Sequence, residues 1–164
     1  MLTIMEVTPD FAPVIAAIIR TSFQAQAQLL QLDEVSCPRY VAFETTERIQ
    51  AAARRGERLA VAFSKGTALG TVRYHHDSQV AERGFISRLA VLPEFRGNGY
   101  GEKLLRFAEA RLQALKVNEI EIAIVAEFTK LQHFYERLGY QPRQVQTFSG
   151  LPFAVLIMTK RLPE

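Results

Sequence analysis

The sequence has 164 residues, of which 48% are hydrophobic and 23% charged, with a formal net charge of +3. This length suits one domain that buries ~68–70% of its unfolded surface, and the composition excludes a disordered or low-complexity chain. The mild positive charge, without any long run of like charges, argues against a nucleic-acid partner and suits a small anionic ligand.

Phe11 to Ile19 is the longest nearly uncharged run near the start, too short for a membrane span, and the Glu6 and Asp10 before it do not suit a signal peptide. A cytoplasmic protein without membrane contact is expected. The single cysteine, Cys37, excludes an internal disulfide and a cysteine-rich metal site, and reads as a small buried side chain. No metal site is predicted, because His75 and His76 are adjacent and would point to opposite sides of an extended segment.

Leu2 to Val7 alternates like a strand. Thr8-Pro9-Asp10 then offers a helix start, with Val14, Ile15, Ile18 and Ile19 at helical spacing. Gln24 to Leu32 continues that pattern until Ser36-Cys37-Pro38 breaks it, and Thr46 to Arg55 reads as a second helix ended by Gly56. Arg58 to Phe63 and Thr67 to Tyr74 flank a Ser-Lys-Gly turn and predict an antiparallel hairpin, followed by a polar loop from His75 to Arg83.

Phe85 to Leu92 is the next strand, closed by Pro93. Tyr100 to Leu115 then reads as a helix with Leu104, Ala108, Leu112 and Leu115 on one stripe. Ile120, Ile122 and Ile124 alternate along a strand to Val125, so strand, helix and strand make one parallel crossover. Lys130 to Leu138 is a short helix stopped by Gly139, and Gln144 to Phe148 and Phe153 to Thr159 are two closing strands. There is no internal repeat and no linker, so residues 1–164 read as one domain.

The junction Glu94-Phe95-Arg96-Gly97-Asn98-Gly99-Tyr100-Gly101 packs its glycines between the apolar strand and the helix. A helix start leaves about four N–H groups unpaired and carries roughly half a positive charge, which attracts anions. Glycines let a ligand approach the backbone, Arg96 adds a planar cation, and only Asn98 stands near enough to act as a partial cap. On these grounds alone the junction is either a phosphate cradle or a glycine-rich turn. It is not a nucleotide triphosphate loop, which needs Lys then Ser or Thr after the last glycine. It also departs from the dinucleotide fingerprint, whose third glycine comes one residue later.

Leu89-Ala90-Val91, Pro93 and Arg96-Gly97-x-Gly99-x-Gly101 resemble the signature of the GNAT N-acetyltransferases. Phe134-Tyr135-Glu136-Arg137-Leu138-Gly139-Tyr140 independently resembles that family's FYxKxGF stretch. The resemblance covers about Arg58 to Lys160. It implies an α/β (α+β) fold with a mixed, mostly antiparallel central sheet flanked by helices, splayed between the fourth and fifth strands.

The resemblance further implies that acetyl-CoA is the cosubstrate, with its pyrophosphate on Arg96, Gly97, Asn98, Gly99, Tyr100, Gly101 and Glu102. Its pantetheine arm would pair with Leu89, Ala90 and Val91. Phe128 falls where many relatives carry a cofactor-contacting asparagine, which puts one pantetheine contact in doubt.

The implied chemistry is direct attack of a primary amine on the thioester. A lysine-like amine, pKa ~10.4, is about one part in a thousand neutral near pH 7, so a proton must be removed from it, while the leaving thiolate, near pKa ~8.5, needs one. Tyr135 matches the family's acid. The base is open: Ala123 replaces the glutamate some relatives use, leaving Glu121, Glu127 or a water chain, and Glu121 also reads as a structural residue.

His133, two residues from Tyr135 on a short helix, faces away from it and receives no role. The acceptor is a small-molecule or peptide amine, with few carboxylates in the regions expected to bind it. Two further readings stay open: a non-catalytic acyl-CoA-binding sensor and a nucleotide-binding oxidoreductase. Homodimer formation through the last hairpin's edges is also open.

Overall fold

Alternation along the strands decides which helix packs on which face of the sheet. In β2 (Arg58–Ser64), Leu59 and Val61 join a buried cluster with Ile15, Ile18, Ile19 and Ile49, whereas Ala60 and Ala62 join another with Leu104, Leu105 and Ala108. The computed structural model, which describes residues 1–163, surrounds β2 with β1 (Leu2–Val7), α1 (Ala12–Leu29) and α2 (Thr46–Arg54). The chain continues through β3 (Thr67–His76), β4 (Arg83–Val91), α3 (Tyr100–Ala114), β5 (Glu119–Val125) and α4 (Thr129–Arg137), then β6 (Gln141–Thr147) and β7 (Ala154–Arg161).

The seven strands form one sheet in the order β1-β2-β3-β4-β5-β7-β6, with β4 and β5 its parallel pair and the other neighbours antiparallel. This is the mixed, mostly antiparallel sheet expected from the sequence. A third cluster, including Cys37, Tyr40, Phe43, Val125, Phe153 and Val155, fills the space beneath the irregular segment between α1 and α2.

At Gly70 on β3, an added Cβ would lie 2.8 Å from Leu104 Cδ1 and 3.0 Å from the Ala90 carbonyl oxygen. Glycine there lets α3 settle directly onto the strands that carry the site.

Several boundaries differ from expectation. Thr8 caps nothing with its side chain; a single turn of 3-10 helix, Pro9–Phe11, comes before α1, which ends at Leu29. The polar loop is shorter than predicted because His75 and His76 pair with Phe85 and Gly84 in the ladder. β6 begins earlier, at Gln141, because a register shift next to Pro142 absorbs a residue that cannot donate to the ladder. Leu115 lies past the end of α3 and is exposed, while Leu104, Ala108 and Leu112 are fully buried. Among the described residues, no helix is long and apolar enough to cross a membrane.

Candidate active site

The parallel pairing of β4 with β5 covers Arg83–Phe85 against Glu119–Glu121, and beyond Phe85 and Glu121 the strands part. The β3–β4 register skips a residue, so that Arg88 and Leu89 oppose Val72, and Arg88 takes φ 54°. Such a bulge turns the strand and strengthens its twist. A cavity of about 780 Å³ opens in the wedge, with Ile86 to Val91 on one wall and Ile122 to Val125 on the other.

Past the bulge, the Leu92 N–H donates to the Leu69 carbonyl at 2.9 Å. Backbone groups alternate sides along a strand, so those of Leu89 and Val91 face the gap, with no neighbouring strand to pair them.

The glycine loop follows at once. Gly97 and Gly99 have φ 83° and 76°, and a Cβ on either would meet no atom within 4 Å. Their conformation favours glycine, and the space beside it is open. Gly99 is the N-cap of α3 and makes no side-chain cap; the first bond of the helix runs from the Lys103 N–H to the Gly99 carbonyl at 3.2 Å. The N–H groups of Tyr100, Gly101 and Glu102 therefore have no intrahelical acceptor. Asn98 does not cap: its amide donates back to the Phe95 carbonyl at 3.0 Å.

Arg96 is engaged with backbone. Its Nη2 donates to the Ser22 carbonyl at 2.7 Å and its Nε to the Val91 carbonyl at 3.2 Å, tying the loop to α1 and to the end of β4. Ser22 borders the cavity, and its buried Oγ has no hydrogen-bond partner among the described residues.

Two buried tyrosines line the cavity. Tyr40 donates its hydroxyl to Gln26 Oε1 at 3.1 Å, and burial pushes its pKa up to about 12. Tyr135, on α4, packs edge-on against Phe134 and Tyr140, and burial alone pushes its phenol well above tyrosine's ordinary value. No hydrogen bond to its hydroxyl is present among the described residues, so this proton remains in place and uncommitted.

Of the sequence candidates, Leu89, Ala90, Val91, Arg96, Gly97, Gly99, Tyr100, Gly101, Glu102 and Tyr135 line the cavity. The other four do not. Asn98 sits in the loop with its amide turned inward, and Phe128 packs in the cluster with Val125 and Phe153. Glu121 stays within the paired part of β5, and Glu127 is exposed beyond its end. Among the described residues, Glu102 is the one carboxylate on the lining, held to Arg106 at 2.9 Å across one helical turn.

Sequence reasoning missed the polar cluster under the bulge. Glu44, fully buried, accepts from Arg88 at 2.9 Å and lies 3.6 Å from Arg73, which is itself 3.2 Å from Glu57. A local signal existed on α2 and its C-cap: Arg48 and Arg55 stand at i and i+7, on one side of the helix with Ala51 between them.

A splayed sheet, a bulged strand, a glycine loop and an uncapped helix start all border one cavity. The sequence matches the model of the acetyltransferase (GNAT) family over residues 24–140, more than two thirds of the chain, and the protein belongs to that family.

Solved structures of similar fold include the PaiA N-acetyltransferase of Thermoplasma acidophilum in complex with coenzyme A. Its TM-score is 0.79, with 16% identity and 99% of each chain covered. The ribosomal-protein-alanine N-acetyltransferase of Brucella melitensis follows at TM-score 0.74 and 20% identity, covering 98% of this chain and 99% of that one. YncA of Salmonella typhimurium, solved with its cofactor acetyl-CoA, has a TM-score of 0.74 and 15% identity over 100% of this chain and 95% of that one.

Proposed function

We propose that the chain moves the acetyl group of acetyl-CoA to a primary amine by direct attack in a ternary complex. The observation that carries this reading is a convergence on one cavity. The uncapped start of α3, the strand segment of Leu89 and Val91 whose N–H groups have no neighbouring strand, and Tyr135 with its uncommitted hydroxyl all border it. The CoA and acetyl-CoA complexes among the proteins of similar fold support it.

The residues fit such a ligand. Pyrophosphate needs several N–H donors and room close to the backbone, which the start of α3 and the open space beside Gly97 and Gly99 offer. The cosubstrate supplies a thioester carbonyl and a thiolate leaving group. The N–H of Leu89 or Val91 stabilises charge on the carbonyl oxygen. Tyr135 delivers its proton to sulfur as the carbon–sulfur bond breaks and the carbon–nitrogen bond forms, and the proton shed by nitrogen restores the balance.

The amine must arrive neutral, at a cost of about 4–5 kcal/mol for a lysine-like group near pH 7. With Glu121 and Glu127 off the lining and Glu102 paired with Arg106, we assign that deprotonation to water rather than to a side chain.

The test is thiol release from acetyl-CoA in the presence of an amine panel, with the amide product identified by mass spectrometry. Amide formed in step with thiol is the expected result. The absence of an aligned base on the lining favours one second reading, a non-catalytic acyl-CoA-binding module, which would bind acetyl-CoA and form no amide.

A further inference from the structure

A second cavity, of about 410 Å³, shares Arg39 and Arg88 with the first and is otherwise lined by Glu44, Arg48, Ala51, Arg55 and Arg73. Ala51 of α2 lies on the lining between Arg48 and the helix's C-cap residue, Arg55. Five guanidinium groups therefore surround this space. Among the described residues two carboxylates answer them: Glu44 lies between Arg73 and Arg88, and Glu57 between Arg55, at 2.9 Å, and Arg73.

Among the described residues Arg39 makes no ion pair, and the Arg48 guanidinium donates only to the Phe43 carbonyl, at 3.3 Å. Arg73 is 8% exposed, and its buried Nε has no hydrogen-bond partner among the described residues, since Glu57 is near it in distance but off alignment. Arg39 is exposed and Arg48 partly buried, so the cluster presents a net positive, solvent-reached concavity that draws in an anion. Planar guanidinium groups suit the flat, two-oxygen face of carboxylate or the oxygens of phosphate.

We propose that this cavity takes the anionic group of the acceptor, so that the acceptor is a small amine also bearing a carboxylate or a phosphate. The proposal rests on the transfer reading above and deepens it. Arg39 and Arg88 line both cavities, so an oxyanion held among the arginines leaves an amine a few bonds away in the gap between β4 and β5. The oxyanion takes no part in bond making; it selects and orients.

The experiment compares kcat/KM within matched pairs: α-amino acids against their carboxamides, and aminoalkyl phosphates against the parent amino alcohols. It is run on the wild type and on Arg48→Gln, since Arg48 lines only the second cavity and glutamine keeps a donor for the Phe43 carbonyl. The anionic member of at least one pair is expected to exceed its neutral partner tenfold or more, and the pair that responds tells carboxylate from phosphate. Arg48→Gln should pull that ratio toward one, while the Kd for acetyl-CoA, measured by calorimetry, stays unchanged.

Equal kcat/KM within both pairs, or a ratio unmoved in Arg48→Gln, overturns the acceptor class alone. Failure to bind acetyl-CoA, or to acetylate any amine, overturns the transfer reading and this one with it. Independently of turnover, inorganic phosphate should raise the Tm of the wild type more than that of Arg48→Gln, with or without CoA. Loss of that rise on adding CoA would assign the cavity to a phosphate of the cosubstrate and overturn the proposal.

Discussion

Arg96 holds the Ser22 carbonyl with Nη2 at 2.7 Å while its Nε reaches the Val91 carbonyl, so one guanidinium fastens the glycine loop to both α1 and β4. The arginine that the sequence offered as a phosphate cation is thereby a strut as well. A lysine in its place would keep the charge but lose the fixed fork that spans two acceptors. Arg96→Lys is therefore expected to weaken acetyl-CoA binding by tenfold or more in a calorimetric titration. Unaltered affinity would reduce Arg96 to a general positive charge.

Gly99 separates backbone strain from ligand exclusion. A Cβ at this position meets open space, so Gly99→Ala carries only the left-handed penalty of about 1–2 kcal/mol. Gly99→Glu adds bulk and negative charge where the helix start attracts anions. Denaturant unfolding should find the two variants similarly stable, whereas acetyl-CoA affinity should persist in the first and vanish in the second.

Tyr135→Phe should lower kcat by about a hundredfold to ten-thousandfold with little change in the Kd for acetyl-CoA, since a general acid contributes about 10²–10⁴. The pH profile follows from the direction of the shift. Burial raises the phenol's pKa, so the acid form persists to higher pH, and wild-type kcat/KM should show no alkaline decline below about pH 10. With water as base, it should instead rise with pH toward the acceptor's own pKa, and two amines of different pKa should give two different curves. One shared curve would point to a titrating side chain on the enzyme.

Gly70→Ala tests how tightly α3 is set onto the sheet. The new methyl would press on Leu104 Cδ1 and on the Ala90 carbonyl, and a backbone oxygen cannot swing aside as a side chain can. Overpacking of about 1–3 kcal/mol should lower Tm by roughly 2–12 °C in a thermal scan. An unchanged Tm would mean that α3 and β4 yield freely.

The glycine loop, the start of α3 and Tyr135 were legible in the sequence because each is encoded within a few consecutive residues. The base was not. Whether Glu121 reaches the cavity depends on where β4 and β5 part, and the pairing runs on until Phe85 meets Glu121, one step too far. The bulge at Arg88 was equally hidden, because it exists only in the register between β3 and β4. Glu44, Glu57, Arg73 and Arg88 meet through tertiary packing alone, and no periodicity links such positions. The α2 face of Arg48, Ala51 and Arg55 was the one part of that cluster with a local pattern.

The most direct test of the account is to incubate the protein with acetyl-CoA carrying a labelled acetyl group, together with the panel of anionic and neutral amines. Free thiol and labelled amide are then followed at once, with NAD in place of acetyl-CoA as the control. The account predicts labelled amide equal to the thiol released, lost in Gly99→Glu and strongly slowed in Tyr135→Phe. Acetyl-CoA that binds and stays intact with every amine, or a protein that responds to NAD instead, would contradict it.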